Sequence, residues 1–585
     1  MLKLFKYLKP YWWQVLILLA STALQVYCTL RLPALMAEII NGGIIAQNPD
    51  AIWMIGVRMI GLAFISACGA MISSFFAARI GAFFSRDLRA DVFTKVLSLD
   101  LTNIKNVSTA SLINRTTNDI NQVQQTITMI LSIMLRAPLF CIISLIMAIQ
   151  TAPDMWWIIA VSIVAILIAI FSVMFMVIPK FKIFQKIVDK ITLITRENLT
   201  GLRVIRAFNN EKLEQKKFKK TNTELTQLLI YIDKKMELMN PLISAIFNGT
   251  TLLCYWVGIT FIEQDITFLG NMSAFAQYAT HVMMSFLMLS ILLVMIPRAN
   301  VSAGRINEIL GTKTKIKWNK TTRGIPTHIP SVEFKDVDFR YEDADEKMLD
   351  SISFIAEAGK TTAFIGSTGS GKSTLINLVP RFYEPTKGQI LIDGLDIKEY
   401  SKEDLMKKIG LVPQRGVLFS GTIKSNISFG APNATMDDII KAAEISQSKE
   451  FIEKLPDKYS AHIAQGGTNV SGGQKQRLSI ARAICKKPDV YIFDDSFSAL
   501  DMKTDRKLRE ALKTVTTDSV VLIVAQRINT VKDADQIIVL DNGKIVGKGT
   551  HYELLQKCKV YLEIVKSQLS ESELNAELKE ANAKA

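Results

Sequence analysis

A glycine-rich segment in the second half of the chain has the residue types that bind phosphate. It reads GSTGSGKST, follows a short apolar run at 361–365 and precedes LINLVPRFY, the order of strand, turn and helix that a phosphate-binding loop requires. Its glycines let backbone N–H groups face phosphate oxygens, while Lys372 can reach the β- and γ-phosphates and Ser373 can ligate Mg²⁺. We therefore predict an ATP-binding P-loop, in preference to an incidental glycine-rich turn. The predicted loop comprises Gly366, Ser367, Thr368, Gly369, Ser370, Gly371, Lys372, Ser373 and Thr374.

A second candidate for the same site is the first carboxylate in the run VYIFDD. Asp494 closes an apolar, strand-like stretch, where it can help to hold the magnesium ion. An apolar strand that ends in aspartate is common in proteins, but in combination with the P-loop the pattern is specific. Asp494 and Ser373 are thus predicted Mg²⁺ ligands.

The segment NVSGGQKQRLSIARAI predicts another phosphate-facing helix N-terminus. Two glycines and a serine precede an amphipathic helix, so its first N–H groups are placed to meet an anion. One chain can hardly fold this helix onto its own P-loop if the two lie on separate lobes, which implies a partner cassette. The predicted contacts to the partner's ATP are Ser471, Gly472, Gly473 and Gln474.

The first half of the chain is predicted to cross a membrane six times. Apolar residues make up 49% of the whole sequence, and six stretches reach spanning length. Two long loops, 79–126 and 179–240, are rich in Lys and Arg, whereas the short loops 41–50, 151–154 and 263–271 contain none. The positive-inside rule then places both termini in the cytoplasm of a multi-pass cell-membrane protein. The predicted spans are 11–33, 51–78, 127–150, 155–178, 241–262 and 272–297.

The same composition excludes other classes of protein. The net charge of +15 follows from the basic cytoplasmic loops, so no nucleic-acid partner is predicted. Six scattered cysteines without a CxxC pair indicate neither a disulfide framework nor a zinc site.

The predicted domains follow these composition changes. They are a transmembrane domain at 1–310, a polar linker at 311–330, a nucleotide-binding domain at 331–567 and a charged tail at 568–585, which we expect to be a solvated helix.

The order of these motifs resembles that of ABC transporters. An LSGGQ-like segment between a P-loop and a Walker B strand is diagnostic of that superfamily, and six spans before the cassette, with GLRVIRAFNNE in the second cytoplasmic loop, look like the bacterial multidrug ABC exporter half-transporters. The implied fold is an all-α six-helix transmembrane domain followed by an α/β P-loop cassette with a helical signature subdomain. In that family two cassettes sandwich two ATP molecules, each between the P-loop of one chain and the signature of the other.

The resemblance also implies roles for residues outside these motifs. Tyr341 would stack on adenine. Gln414 would be the Q-loop residue that senses Mg²⁺ and the coupling helices, which makes it a further predicted Mg²⁺ ligand and, with Asp495 and Gln526, a predicted catalytic residue. The segment 498–501, SALD, matches the D-loop, and the loop tips near 107–111 and 209–213 would be the coupling helices. A strand-edge aromatic and a turn residue are the alternatives for Tyr341 and Gln414.

Two positions depart from the family pattern. Asp495 follows Asp494 where the family carries a glutamate that polarises the attacking water, and Gln526 stands where it carries a histidine that contacts the γ-phosphate. A carboxylate withdrawn by about one ångström can cost on the order of 100-fold in rate. The cross-interface stretch AHIAQGG is also atypical. None of the chain's histidines can replace the missing one in sequence; they are His281, His328, His462 and His551.

These departures predict a heterodimeric exporter whose partner half-transporter carries the consensus glutamate and histidine. This chain's own ATP site would be slow or inactive, and its intact signature would complete the partner's site. The predicted substrates are hydrophobic or amphipathic compounds of the drug or lipid type. Open alternatives are an active homodimeric exporter, an ATP-binding regulatory subunit and an importer of exporter-like fold.

Overall fold

The computed structural model describes residues 1–263, 266, 268–324, 329–342 and 344–584. They form two compact units, one of Met1–Ser98 with Val107–Thr312 and one of Leu99–Asn106 with Lys313–Ala585. Part of the predicted linker, residues 325–328, lies outside the described residues, and so does His328.

The described residues of the first unit form helices joined by short turns. Among the described residues, six helical stretches of 43–52 residues are long and apolar enough to cross a membrane, and each contains one predicted span. About 20 residues cross the apolar core of a bilayer, so every stretch is long enough to extend well beyond it. The prediction of an all-α domain with six spans is confirmed. The stretches are Leu2–Ile45, Pro49–Ser98, Thr109–Thr151, Pro153–Thr200, Glu211–Ile262 and Phe268–Gly311.

Turns of other helical types interrupt these stretches. Leu2–Tyr11 and Pro153–Met155 are 3₁₀ segments, and Ile39–Ile45 and Ile130–Met134 are π-helical. The α-helices are α1 (Trp12–Glu38), α2 (Pro49–Ser98), α3 (Leu101–Val107), α4 (Thr109–Thr116), α5 (Asn118–Met129), α6 (Arg136–Thr151), α7 (Trp156–Thr200), α8 (Leu202–Ala207), α9 (Glu211–Glu237), α10 (Met239–Ile262) and α11 (Phe268–Gly311).

The short helices of the two long loops lie earlier than the sequence suggested. We expected the tips near 107–111 and 209–213, whereas the short helices are α3 and α8. In the first loop the reason is local capping, because Ser108 accepts a hydrogen bond from the backbone N–H of Ser111 and thereby starts α4. In the second loop α9 begins at Glu211 without a side-chain cap. The expected tips therefore overlap the starts of α4 and α9, and their role as coupling helices stays a prediction.

The second unit is an α/β domain built on three sheets. Their strand orders are β2-β1-β4-β5, β12-β11-β3-β10-β9-β6 and β7-β8. The strands are β1 (Ser331–Phe339), β2 (Leu349–Glu357), β3 (Thr361–Gly366), β4 (Lys387–Ile392), β5 (Leu395–Asp396), β6 (Ile409–Val412), β7 (Gly421–Thr422), β8 (His462–Ile463), β9 (Val490–Asp494), β10 (Val520–Val524), β11 (Gln536–Asp541) and β12 (Lys544–Gly549). The helices are α12 (Lys372–Leu378), α13 (Lys402–Lys408), α14 (Ile423–Ile427), α15 (Met436–Ile445), α16 (Lys449–Glu453), α17 (Gly472–Cys485), α18 (Met502–Lys513), α19 (Ile528–Val531), α20 (His551–Lys557), α21 (Lys559–Gln568) and α22 (Glu571–Lys584).

The six-stranded sheet is covered on both faces, which explains its apolar strands. Ala363 and Ile365 of β3 pack in one core with the helices of the signature region, and Phe364 packs in the other core with the four-stranded sheet and α12. Parallel strands buried on both faces read as continuous apolar runs, as β3, β9 and β10 do. The predicted P-loop cassette fold is confirmed.

The strand order explains how distant parts of the sequence can form one site. Strands β3, β10, β9 and β6 are parallel neighbours, so their carboxyl ends lie side by side. Ligands in open α/β sheets bind outside these ends. The P-loop follows β3, Gln526 lies just beyond β10, Asp494 and Asp495 lie at the end of β9, and Gln414 lies just beyond β6.

The C-terminal tail is helical, but it is not a solvated helix as expected. In α22, Ala581 is buried, and Leu574 and Leu578 pack against the core of the domain. Leu574, Leu578 and Ala581 form a narrow apolar stripe along one face of α22. The sequence gives little sign of this stripe, because charged residues occupy most of the other positions of the helix.

Candidate nucleotide-binding site

The P-loop backbone has the conformation that its glycines permit. Gly369 and Gly371 have φ values of 86° and 97°, a region that other residues seldom adopt. A Cβ atom at Gly366 would also lie 2.1 Å from the carbonyl oxygen of Leu540. The loop therefore requires glycine for its shape at two positions and for space at a third.

Lys372 lies inside this loop. Its Nζ donates to the carbonyl oxygens of Gly366 at 2.9 Å and Ser367 at 2.6 Å, and to Ser370 Oγ at 3.3 Å. Burial lowers the pKa of Lys372, while the nearby charges of Asp495 and Asp494 act in the opposite direction. A phosphate would supply the negative charge that this buried ammonium lacks.

Ser373 and Asp494 are brought together as the sequence suggested. The Ser373 hydroxyl donates to Asp494 Oδ1 at 2.9 Å, and burial raises the pKa of Asp494, while the bond from Ser373 lowers it. Hard oxygen donors suit Mg²⁺, which usually takes one or two protein ligands together with phosphates and waters. In the part of the chain that the structure describes, no three His, Cys, Asp or Glu side chains gather as a self-sufficient metal site. The pair thus fits Mg²⁺ bound with a nucleotide, where the ion would neutralise phosphate charge.

Asp495 lies between the two glutamines named from the sequence. Its Oδ2 accepts hydrogen bonds from Gln526 Nε2 at 3.2 Å and from Gln414 Nε2 at 3.4 Å. The residue is buried, with a left-handed φ of 46°, and Ser498 Oγ donates to its carbonyl oxygen at 2.8 Å. Burial raises the pKa of Asp495, and hydrogen bonds from Gln414 and Ser498 oppose that rise. The three predicted residues therefore form one hydrogen-bonded cluster.

Tyr341 lies beside the P-loop helix. Its hydroxyl is 3.0 Å from Thr374 Oγ1, and its ring packs edge-on against Phe339 and Tyr383, with centroids 4.9 and 5.5 Å away. These contacts fix the orientation of the ring next to the loop. The stacking of Tyr341 on adenine stays a prediction.

The signature segment forms a well-capped helix start. Ser471 Oγ accepts from the Gln474 N–H at 3.2 Å, and Gln474 Oε1 accepts from the Ser471 N–H at 2.9 Å, which is a capping box. A Cβ at Gly473 would lie 3.4 Å from Ala499 O, which places the signature next to the SALD segment. Among the described residues, no hydrogen bond joins Ser471–Gln474 to the P-loop of the same chain.

Gln476 is a structural link that the sequence reading missed. It is buried, its Nε2 donates to Pro413 O at 3.1 Å, and its Oε1 accepts from the Gly416 N–H at 2.9 Å. Both bonds flank Gln414, so the signature helix holds the loop that carries this residue. The sequence signal for this role is weak: it is a glutamine at a position of α17 that lies on the buried face of the helix.

Replacing Asp494 with asparagine is expected to stabilise the nucleotide-free protein and to weaken its response to Mg²⁺ and ATP. The raised pKa means that the ionised carboxylate costs folding free energy, so stability falls as pH rises above the ordinary aspartate pKa. Removal of the charge should add about 0.5–2 kcal/mol near neutral pH. Thermal unfolding with and without Mg²⁺ and ATP measures both effects.

Two controls make the Asp494 prediction specific. The gain should vanish toward pH 4, where the native carboxylate becomes protonated as well. A variant that is less stable than the native chain without nucleotide, or that keeps the full Mg²⁺-dependent shift, would contradict the assignment.

Both halves of the chain match models of known protein families. Residues 15–286 match the ABC transporter transmembrane region, and residues 349–498 match the ABC transporter domain. Among solved structures, a bacterial Atm1-family ABC exporter with ATP bound has the same fold, with a TM-score of 0.78, 22% identity, and 97% of this chain and 99% of that chain covered.

Relatives of similar length match nearly the whole chain. YfiB of Bacillus subtilis, an uncharacterized ABC transporter ATP-binding protein, is 38% identical over 97% of this chain and 98% of its own. An uncharacterized ABC transporter ATP-binding protein of Mycobacterium tuberculosis is 36% identical over 96% of this chain and 97% of its own length. An ATP-dependent lipid A-core flippase of Aromatoleum aromaticum is 31% identical over 89% and 86%. Because these matches run through both units, the chain belongs to the ABC transporter family and joins an exporter-type transmembrane domain to an ATP-binding cassette in one polypeptide.

Proposed function

We propose that this chain is the catalytically impaired half of a heterodimeric ATP-driven exporter of the cytoplasmic membrane. ATP binding would close the two cassettes, hydrolysis at the partner's site would reset them, and ATP at this chain's P-loop would be held through the cycle. The basic loops favour a cytoplasmic cassette and cytoplasmic termini. The exporter-type fold supports outward transport.

The observation that carries this proposal is the bond between Gln526 Nε2 and Asp495 Oδ2 at 3.2 Å. It joins the two positions where the family has a catalytic glutamate and a histidine. Asp495 reaches one methylene less far than glutamate, and its Oδ2 accepts hydrogen bonds from two side-chain amides. The amide of Gln526 neither gives up nor accepts a proton near neutral pH, so it cannot shuttle one.

The binding half of the site is complete by contrast. Lys372 lies in a glycine-shaped loop, and Ser373 and Asp494 are paired for Mg²⁺. A site that can bind Mg²⁺ and ATP but has a poor base favours retention of the nucleotide over turnover.

The intact signature supports the second part of the proposal. Ser471–Gln474 forms a capped helix N-terminus that no hydrogen bond links to its own P-loop within the described residues. The first N–H groups of such a helix bind phosphate readily. This segment would therefore complete the partner's site, where hydrolysis takes place.

The proposed substrates are hydrophobic or amphipathic compounds of the drug or lipid type. The six spans are long apolar helices. One relative is named a lipid A-core flippase, which supports a lipid-like substrate.

The test of this function uses the assembled transporter in vesicles. Substitution of the partner's catalytic glutamate by glutamine should reduce ATPase activity and uphill transport by about 100-fold or more. Asp495→Asn in this chain should change both by less than about threefold, because Asp495 contributes little as a base. Persistent activity after the partner substitution, or a large loss with Asp495→Asn, would show instead that this chain's site turns over, as in an active homodimer.

A further inference from the structure

The C-terminal helices contact the short helix that follows Gln526. Helix α19 (Ile528–Val531) begins two residues after Gln526. The position of α19 therefore limits where the side chain of Gln526 can lie. Helix α21 ends at Gln568, beside the start of α19, and α22 follows it. The segment predicted as a solvated tail thus begins against the backbone at Gln526, which we call the switch position.

Gln568 makes two hydrogen bonds that bracket this position. Its Nε2 donates to the carbonyl oxygen of Gln526 at 2.7 Å, and its Oε1 accepts from the backbone N–H of Ile528 at 2.9 Å. The N–H of Ile528 is one of the first donors of α19, and such donors need a partner from outside their helix. No cap hydrogen bond comes from the side chain of Arg527, the N-cap residue. Gln568 therefore caps the N-terminus of α19, because it accepts the hydrogen bond that an N-cap side chain would otherwise accept.

The other end of α19 is tied to the same C-terminal segment. Glu577 of α22 lies 3.5 Å from Lys532 Nζ, at the end of α19, and 3.2 Å from Nε2 of the buried His551. His551 Nδ1 is in turn 2.7 Å from the hydroxyl of Tyr561 on α21. These contacts hold α21 and α22 together, so the position of Gln568 at the end of α21 is fixed.

We propose that Gln568 is a positioning residue for Gln526, and through it for the γ-phosphate side of the site. It acts on the backbone at Gln526 and Ile528, and neither of these two hydrogen bonds involves Asp495. The inference rests on the proposed function, since it gives the C-terminal segment control over the same ATP site.

The first experiment measures backbone order without any catalysis. Amide hydrogen exchange is followed over residues 525–532 in the full assembly with Gln568→Ala, Gln568→Glu and, as a control, Lys566→Ala, an exposed residue two positions earlier. Gln568→Ala should speed exchange at Ile528 by about fivefold, the effect of losing one hydrogen bond. Gln568→Glu should restore protection of the Ile528 N–H because it keeps an acceptor, and Lys566→Ala should change nothing.

The second experiment measures the effect of the Gln568 substitution on the rate of ATP hydrolysis. In a chain that carries Asp495→Glu and Gln526→His, Gln568→Ala should lower kcat about tenfold with KM for ATP unchanged, since a shifted switch residue loses alignment in the transition state. An unchanged rate of exchange at Ile528, or exchange that rises equally throughout the second unit, would overturn the proposal for Gln568. If the double substitution fails to create hydrolysis, Asp495 and Gln526 are not the reason for slow turnover in the proposed function, and the exchange measurement still decides the role of Gln568.

Discussion

Replacing Gly472 with aspartate is expected to lower the ATPase activity of the assembled transporter by about 100-fold or more. Gly472 is the first residue of α17, the helix whose N-terminus would face the partner's ATP. A carboxylate there would lie against the γ-phosphate, and like charges in contact cost several kcal/mol, each 1.4 kcal/mol being a factor of about ten. Steady-state ATPase measurements on the purified assembly check this result.

The fold should tolerate the Gly472 substitution, which makes the loss interpretable. A Cβ atom at this position meets nothing within 4 Å, and an acidic residue in the first turn suits the helix dipole. Gly472→Ala is the matched control and should retain most of the activity. ATP binding at this chain's own P-loop should persist in both variants. If the assembly with the Gly472→Asp substitution hydrolyses ATP at the native rate, the signature completes no working site.

The double substitution Asp495→Glu and Gln526→His should create hydrolysis at this chain's P-loop, with a rise of about 100-fold over the native site. Glutamate restores the reach of the base, and histidine replaces the amide that now bonds Asp495 Oδ2. The gain is measured with the partner's catalytic glutamate replaced by glutamine, so that background turnover is low.

Single substitutions serve as controls for this gain. Asp495→Glu alone should give only part of the increase, because Gln526 and Gln414 would still donate to the new carboxylate. Thermal unfolding and ATP binding confirm that each variant folds. If the double variant folds, binds ATP and hydrolyses it no faster than the native chain, the two departures are not the reason for slow turnover.

Much of the site could be predicted from the sequence because its chemistry is local. GSTGSGKST defines a strand, a turn and a helix in one continuous stretch, and the φ values of Gly369 and Gly371 agree with that reading. Six apolar stretches likewise predict six membrane-crossing helices with little dependence on tertiary contacts.

What the sequence could not supply comes from tertiary neighbours. The spacing of Asp495 and Gln526 along the chain says nothing about the 3.2 Å between their side chains, which follows from the pairing of β9 with β10. Gln568 has no local signal at all, because its partners are backbone atoms about 40 residues earlier.

The short loop helices show a different limit of sequence reading. Apolar periodicity located the long helices, but the boundary of α3 depends on where the next helix is capped. Ser108 provides that cap for α4, and its φ of 63° marks a sharp turn that periodicity does not reveal.

The most direct test of the central claim follows the nucleotide on each chain after turnover. The assembly is allowed to hydrolyse a photo-crosslinkable ATP that carries label either at the α- or at the γ-phosphate, and each chain is then separated and its label counted. If ATP at Lys372 and Asp495 is held, this chain keeps the γ-label through many turnovers while the partner keeps only the α-label. Loss of the γ-label from this chain at the rate of the whole assembly would contradict the account.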